Sequence, residues 1–201
     1  MLPITVDVAR VRVVLVGNGE AARRRLTLLD RAGARRLEVY ATAPALDLAA
    51  AAGERLRRRW PRSEEISRAQ LVFLAAVGEP VASRLRRIAD VAGILLNVED
   101  DIDRSDFHSP AVVRRGDLTV AISTGGKSPG LAAALRRLID ACLDPKWGAQ
   151  LERLTVLRAR WREAGGDAES ISRLTALWLD QQGGIALKRT DLPCRPDSSE
   201  P

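Results

Sequence analysis

Short apolar runs alternate with amphipathic stretches along the first hundred residues. Runs rich in aliphatic residues predict buried parallel strands, because such strands are covered on both faces. Apolar residues at helical spacing between them predict intervening helices. This alternation predicts an α/β fold with a parallel sheet covered by helices. The predicted strands are residues 12–16, 37–41, 70–76 and 93–98, and the predicted helices are residues 20–32, 46–59 and 81–91.

The pattern changes after the fourth predicted strand. Residues 111–113 and 118–122 predict a hairpin that turns at residues 114–117. A glycine-rich loop at residues 124–130 leads into a helix that reaches residue 143. Two further helices are predicted at residues 149–163 and 168–181, before a flexible tail at residues 187–201. We therefore expect a first domain at residues 1–112, a small α+β region at residues 113–147 and a helical region at residues 148–186.

A glycine turn joins the first predicted strand to the first helix, with the sequence Gly17-Asn18-Gly19-Glu20-Ala21-Ala22. Gly17 permits a tight turn, Gly19 lets the backbone approach a pyrophosphate, and Ala22 allows close packing of helix on strand. The helix N-terminus supplies N–H donors. The motif predicts a Rossmann-like dinucleotide-binding domain, and a glycine turn without a ligand is the alternative. The second strand ends in Tyr40–Ala43 without a carboxylate, which leaves NAD or NADP open.

The amino-acid composition indicates which kinds of ligand or partner the protein could bind. The 201 residues contain 32 Lys and Arg against 26 Asp and Glu, a net charge of +6. Such an excess suits an anionic ligand or belongs to a solvated arginine-rich surface. Aromatic residues are only 3%, which argues against a stacking platform for nucleic acid. No apolar run approaches the ~20 residues of a membrane helix. No secretory signal opens the chain, so we expect a cytoplasmic protein.

Metal chemistry has few candidate ligands. Cys142 and Cys194 are the two cysteines and His108 is the single histidine. This set excludes a Cys/His zinc cage within one chain, so we predict no bound metal. His108 could serve as an acid or base, or it could be an ordinary loop residue.

An acidic segment, Glu99–Asp103, follows the fourth predicted strand. Asp100 would then lie at the edge of the sheet where ligands bind, and its carboxylate could accept the proton released when a C–H bond gives up hydride. A solvated acidic turn is the alternative. Repulsion among the four acids predicts that some of their pKa values are raised. Further along, Arg115 and Lys127 could bind substrate carboxylates or form an exposed charged face.

Several segments resemble the precorrin-2 dehydrogenase family, the N-terminal part of siroheme synthase. They are Leu2–Ile4 with Val8, Val14–Arg25, Leu28–Ala34, Asn97–Asp100, Phe107–Ala111 and, most specifically, Arg115–Pro129. The resemblance implies NAD-dependent oxidation of precorrin-2 to sirohydrochlorin in siroheme or related tetrapyrrole synthesis. It also implies a homodimer with its dimerisation region at residues 113–147. Some members of the family insert ferrous iron into sirohydrochlorin as well.

The resemblance also implies roles for individual residues. Asp100 matches the family's catalytic aspartate, and His108 could help it to remove pyrrole protons during iron insertion. We expect no separate chelatase or methyltransferase domain. The non-enzyme alternative is a dimeric NAD-sensing Rossmann module, which needs the glycine turn but has no use for Asp100. The expected cofactor-binding residues are Gly17, Asn18, Gly19, Glu20, Ala21, Thr42 and Ala43, and the expected precorrin-2-binding residues are Asn97, Arg115, Thr124 and Lys127.

Overall fold

The computed structural model describes residues 2–183, so the predicted tail at residues 187–201 lies outside the described residues. The chain divides between His108 and Ser109 into two compact units. The division of the second unit into regions 113–147 and 148–186 stays a prediction. Within residues 2–183, no helix is long and apolar enough to cross a membrane.

The first unit contains a five-stranded parallel sheet with the strand order β3-β2-β1-β4-β5. This is the strand order of a Rossmann sheet, and it confirms the predicted Rossmann-like fold. The strands are β1 Arg12–Gly17, β2 Arg36–Tyr40, β3 Leu56–Arg57, β4 Leu71–Ala75 and β5 Leu95–Val98. The helices are α1 Gly19–Arg31, α2 Leu46–Ala52, α3 Ser63–Ser67 and α4 Val81–Ala92.

Two apolar layers hold this sheet between its helices. Alternate residues of β1 point to opposite faces, so Leu15 packs in one layer and Val16 in the other. The first layer includes Leu26 of α1, and the second includes Leu85 of α4. All four side chains are fully buried. Burial on both faces explains why the strands are apolar runs rather than alternating patterns.

The predicted helix at residues 46–59 is wrong beyond Ala52. Gly53 has a φ of +53° and ends α2, a conformation that glycine adopts without steric cost. A short 3₁₀ turn, Gly53–Arg55, then leads into β3. Leu56 packs against the first apolar layer, which draws the chain into the sheet. The short helix α3 was not predicted either.

The second unit begins with an antiparallel hairpin of β6 Ala111–Arg115 and β7 Leu118–Ile122. The prediction that residues 114 and 115 belong to the turn is wrong, because they complete β6. Only Gly116 and Asp117 make the turn, with Gly116 at a φ of +58°. The helices that follow are α5 Pro129–Cys142, α6 Trp147–Glu163 and α7 Ala168–Gln181, close to the predicted bounds.

Candidate cofactor and active site

The loops that follow the parallel strands all leave the same edge of the sheet. Gly17 ends β1, Thr42 and Ala43 follow β2, and Asp100 follows β5. In open α/β sheets, ligands bind outside this edge at the point where the strand order reverses. Here that point lies between β1 and β4. From β1 the chain continues to β2 and β3 on one side, and it then returns to β4 on the other side of β1. The expected cofactor residues and the expected catalytic aspartate therefore share one edge.

Two glycines shape the turn after β1 in different ways. Gly17 pairs with Ala75 of β4, and a Cβ added to Gly17 would lie 1.9 Å from the Ala75 carbonyl oxygen. No other residue fits there without moving the backbone. Gly19 has a φ of +64°, and a Cβ added to it would meet no atom within 4 Å among the described residues. Gly17 is thus required by strand packing, whereas the space beside Gly19 is open to a ligand.

Asn18 ties the glycine turn to the loop after β2. Its Oδ1 accepts a hydrogen bond from the Ala43 N–H at 3.0 Å, and its Nδ2 lies 3.5 Å from Thr42 Oγ1. The side chain therefore does not cap α1. The backbone N–H groups in the first turn of α1, including those of Glu20 and Ala21, have no cap from this residue and can donate to an anion.

Strained backbone marks the ends of β4 and β5, which are paired strands. Asp100 is exposed and has a φ of +61°, and Ala76 is exposed and has a φ of +54°. For residues with a Cβ this left-handed conformation costs about 1–3 kcal/mol each. Such residues concentrate at functional sites, where the surrounding structure maintains them. Both lie at the edge that carries the glycine turn.

Two arginines of α1 face the carboxylates after β5. The Arg24 guanidinium lies 3.6 Å from Glu99 Oε1. The Arg25 guanidinium lies over the Phe73 ring, 5.0 Å from its centroid. Burial lowers the pKa of Arg25, while Glu99 and Asp100 act in the opposite direction and favour its charged form. The helix thus places positive charge beside the expected catalytic aspartate, which sequence analysis did not foresee.

The predicted rise of some pKa values in the acidic segment does not extend to Asp101. Arg104 donates side-chain and backbone hydrogen bonds to the Asp101 carboxylate, and these hold the pKa of Asp101 below its usual value. The Arg104 guanidinium also pairs with Glu79. A neighbouring arginine therefore outweighs the repulsion between acidic residues.

The chain after the acidic segment covers the outer side of β5. Asp106 accepts a hydrogen bond from the Leu96 N–H at 2.8 Å, and Asn97 Nδ2 donates to the Phe107 carbonyl at 2.8 Å. These bonds satisfy an edge strand that would otherwise stay unpaired. Asn97 is only 5% exposed, and its Oδ1 has no hydrogen-bond partner among residues 2–183. Asn97, an expected substrate-binding residue, therefore uses its Nδ2 for a hydrogen bond within the protein.

Arg115 is also engaged by the chain itself. Its Nε and Nη2 donate to the Leu143 carbonyl at 3.1 and 2.9 Å. Its Nη1 donates to Asp140 Oδ1 at 2.9 Å, and Nη2 also donates to the Asp140 carbonyl at 2.6 Å. The guanidinium fastens the hairpin to the end of α5, and its side chain is only 15% exposed.

The remaining predicted site residues have different surroundings. Thr124 Oγ1 accepts from the Ser128 N–H at 3.2 Å and donates to the Ser128 carbonyl at 3.1 Å, which shapes the loop before α5. Lys127 is exposed on this loop. His108 is half-buried and ends the first unit. Within the described part of the chain, no three His, Cys, Asp or Glu side chains come together in a way that could hold a metal ion.

Family models match both units. A model described as putative NAD(P)-binding matches residues 4–111, and a model described as sirohaem biosynthesis protein central matches residues 115–141. The siroheme synthase of Methylococcus capsulatus is 35% identical over 165 residues, which cover 81% of this chain and 35% of the relative. The siroheme synthase of Neisseria meningitidis serogroup C is 32% identical over 189 residues, which cover 90% of this chain and 38% of the relative.

A solved structure supports the fold. The structure of SirC, a precorrin-2 dehydrogenase, matches with a TM-score of 0.68 and 22% identity, over 90% of this chain and 91% of that one. The chain spans little more than a third of the length of the two siroheme synthases. The first family model covers more than half of the chain, including the whole parallel sheet and the glycine turn. The chain therefore belongs to the putative NAD(P)-binding family.

Proposed function

We propose that this chain is an NAD-dependent precorrin-2 dehydrogenase, which forms sirohydrochlorin for siroheme or a related tetrapyrrole. The observation that carries the proposal is the shared edge of the sheet, where the glycine turn, the loop after β2 and the exposed Asp100 come together. The names of the siroheme synthase relatives and of the SirC structure support this substrate. We further propose that the protein acts as a homodimer in the cytoplasm.

The cofactor residues fit a dinucleotide. The open space beside Gly19 admits a pyrophosphate, and the N–H groups of Glu20 and Ala21 donate to it. Asn18 holds Thr42 and Ala43 beside the turn, where the adenosine ribose would lie. NAD, when bound, supplies the acceptor for a hydride.

The reaction must also remove a proton. Oxidation of precorrin-2 releases one hydride and one proton, and the electron pair left by the departing proton forms the new double bond of the macrocycle. We assign the proton to the Asp100 carboxylate, which is exposed at the edge of the sheet and can pass the proton to water. The negative charges of Glu99 and Asp100 favour the charged form of Arg25, so a positive charge lies close to this carboxylate.

Binding of the polycarboxylate substrate is proposed for the loop before α5. Lys127 is exposed there, and the hydrogen bonds of Thr124 shape the loop that presents it. Arg115 and Asn97 contribute by holding the hairpin and the outer side of β5, because the Arg115 guanidinium and the Asn97 Nδ2 contact the protein itself.

The test compares the variant Asp100→Asn with a variant of a neighbouring acidic residue. In Asp100→Asn we expect kcat for precorrin-2 oxidation to fall about 10²–10⁴-fold, since that is the usual contribution of a general base. The Kd for NAD should stay within about twofold, which calorimetry measures. Asp103→Asn is the matched control, because Asp103 is an exposed carboxylate of the same segment. Its kcat should stay close to that of the wild type.

Two outcomes would oppose this proposal. Wild-type turnover by Asp100→Asn would remove Asp100 from the reaction. Tight NAD binding by the wild type, without oxidation of precorrin-2, would favour a dimeric NAD-sensing module instead.

Ferrous iron insertion is a second candidate activity, favoured by the name siroheme synthase, whose product contains iron. Iron entry displaces two pyrrole protons, and we propose that Asp100 and His108 accept them. Anaerobic addition of ferrous iron to sirohydrochlorin should then give a faster spectral change with the wild type than with His108→Ala or without protein. Equal rates in all three would exclude this activity.

A further inference from the structure

Three arginines lie beside the place where β2 ends. Strand β3 runs parallel to β2 with Tyr40 opposite Arg57, and the Ala41 N–H donates to the Arg57 carbonyl at 3.1 Å. The Arg59 N–H also donates to that carbonyl at 2.9 Å, so the chain turns at Arg58. The segment Arg57–Arg59, which we name the arginine turn, therefore leaves the sheet at the same edge as the loop after β2.

The three guanidinium groups differ in how they are bound. Arg57 Nη1 donates to the Glu54 carbonyl at 2.7 Å, and its Nη2 lies 3.9 Å from Glu38 Oε1. Arg59 forms a two-pronged pair with Glu65, with distances of 2.8 and 2.5 Å, and lies over the Tyr40 ring. Arg58 is exposed and has no hydrogen bond or ion pair among residues 2–183. Arg58 is thus the exposed guanidinium of the arginine turn that no other group among residues 2–183 holds.

The loop after β2 lacks a carboxylate that would repel a phosphate group. Sites selective for NAD place a carboxylate at the end of β2, where it binds the ribose hydroxyls and repels a 2′-phosphate. In this chain the corresponding positions are Ala41, Thr42 and Ala43. Thr42 is exposed and offers a hydroxyl instead. The nearest acid on β2, Glu38, accepts a hydrogen bond from the Tyr40 hydroxyl at 2.9 Å.

We propose that the dinucleotide site also accepts NADP, with Arg58 pairing with the 2′-phosphate and the Thr42 hydroxyl donating to it. Arginine suits this role because its guanidinium is always charged and matches the geometry of a phosphate. The inference rests on the proposed dinucleotide site, but it does not depend on oxidation of precorrin-2.

Binding to the full chain tests the inference without any turnover. Calorimetry would compare NADP with NAD, and 2′-phospho-ADP-ribose with ADP-ribose. We expect wild-type Kd values for NADP that equal or fall below those for NAD at low salt. Arg58→Gln should weaken NADP binding about tenfold to a hundredfold and leave NAD binding within about twofold, because only the phosphate contact is lost. Added salt should weaken NADP binding more than NAD binding, because salt screens the attraction between Arg58 and the phosphate.

Arg31→Gln is the matched control. Arg31 is exposed in the last turn of α1, at the opposite edge of the sheet, so this variant loses the same charge far from the site. An equal effect of both variants on NADP binding would overturn the role of Arg58. Wild-type binding of NAD with NADP at least tenfold weaker would overturn the inference and leave the proposed cofactor site intact. Binding of neither dinucleotide would remove both proposals.

Discussion

Replacement of Gly19 by alanine can distinguish an effect on cofactor binding from an effect on stability. The matched control is Gly33→Ala, because Gly33 has a similar backbone geometry. Gly19 and Gly33 have φ values of +64° and +81°, and a Cβ added to either would meet no atom within 4 Å among the described residues. Gly19 begins α1 at the site edge, whereas Gly33 follows the other end of the same helix. The two substitutions therefore impose the same kind of backbone strain at opposite ends of α1.

The expected costs follow from this geometry. The left-handed conformation of a residue with a Cβ costs about 1–2 kcal/mol, so both variants should unfold at lower temperature. A domain of about 100 residues loses about 4–8 °C in Tm for each kcal/mol. Gly19→Ala alone also places a methyl group where the pyrophosphate approaches. Crowding of this kind costs about 1–3 kcal/mol, which corresponds to a rise in the Kd for NAD of roughly 5- to 150-fold.

Two measurements on each variant check this reasoning. Thermal unfolding followed by circular dichroism should give similar Tm values for Gly19→Ala and Gly33→Ala, both below the wild type. Calorimetric titration with NAD should show weak binding by Gly19→Ala and wild-type binding by Gly33→Ala. If both variants bound NAD as the wild type does, the pyrophosphate would not lie against the glycine turn.

Two further predictions concern ion pairs. Arg59 holds the pKa of Glu65 at about 2, below the ~4.3 of an unfolded chain, so this pair stabilises the fold above pH ~4.5 and loses its effect as the pH falls towards 2. Glu65→Gln should lower the free energy of unfolding by about 1 kcal/mol at pH 7, a modest value because the pair is partly exposed, and urea titrations should find this difference vanishing near pH 2. A difference that is constant with pH would contradict the assignment. Arg115→Gln should lower the free energy of unfolding by about 1.5–3 kcal/mol through its lost bonds to Leu143 and Asp140, and a wild-type urea midpoint would argue against this.

Local patterns were enough to predict most of the fold. The strands of the first unit are long enough and apolar enough to be recognised, and Gly33 marks the end of α1. The two residues of β3 are too few to show any periodicity, and the Ala- and Arg-rich stretch around them is compatible with a helix. Only the packing of Leu56 against the first apolar layer decides that segment.

The site could be predicted where it depends on neighbours in sequence. The glycine turn has a recognisable spacing, and Asp100 directly follows a predicted strand. Contacts between distant residues left no such signal. The sequence shows that residue 115 is an arginine. It does not show that Asp140 and Leu143, more than twenty residues later, bind the Arg115 guanidinium. The contact of Arg25 with Phe73 could not be predicted either, because these two residues are also far apart in the sequence.

The most direct test of the proposed function is an anaerobic incubation of the full chain with precorrin-2 and NAD. Absorbance spectra would follow sirohydrochlorin and NADH together. We expect one NADH for each sirohydrochlorin, with no oxidation when either the protein or NAD is left out. If calorimetry showed that NAD binds, yet no sirohydrochlorin formed with NAD or NADP, the chain would not be a precorrin-2 dehydrogenase.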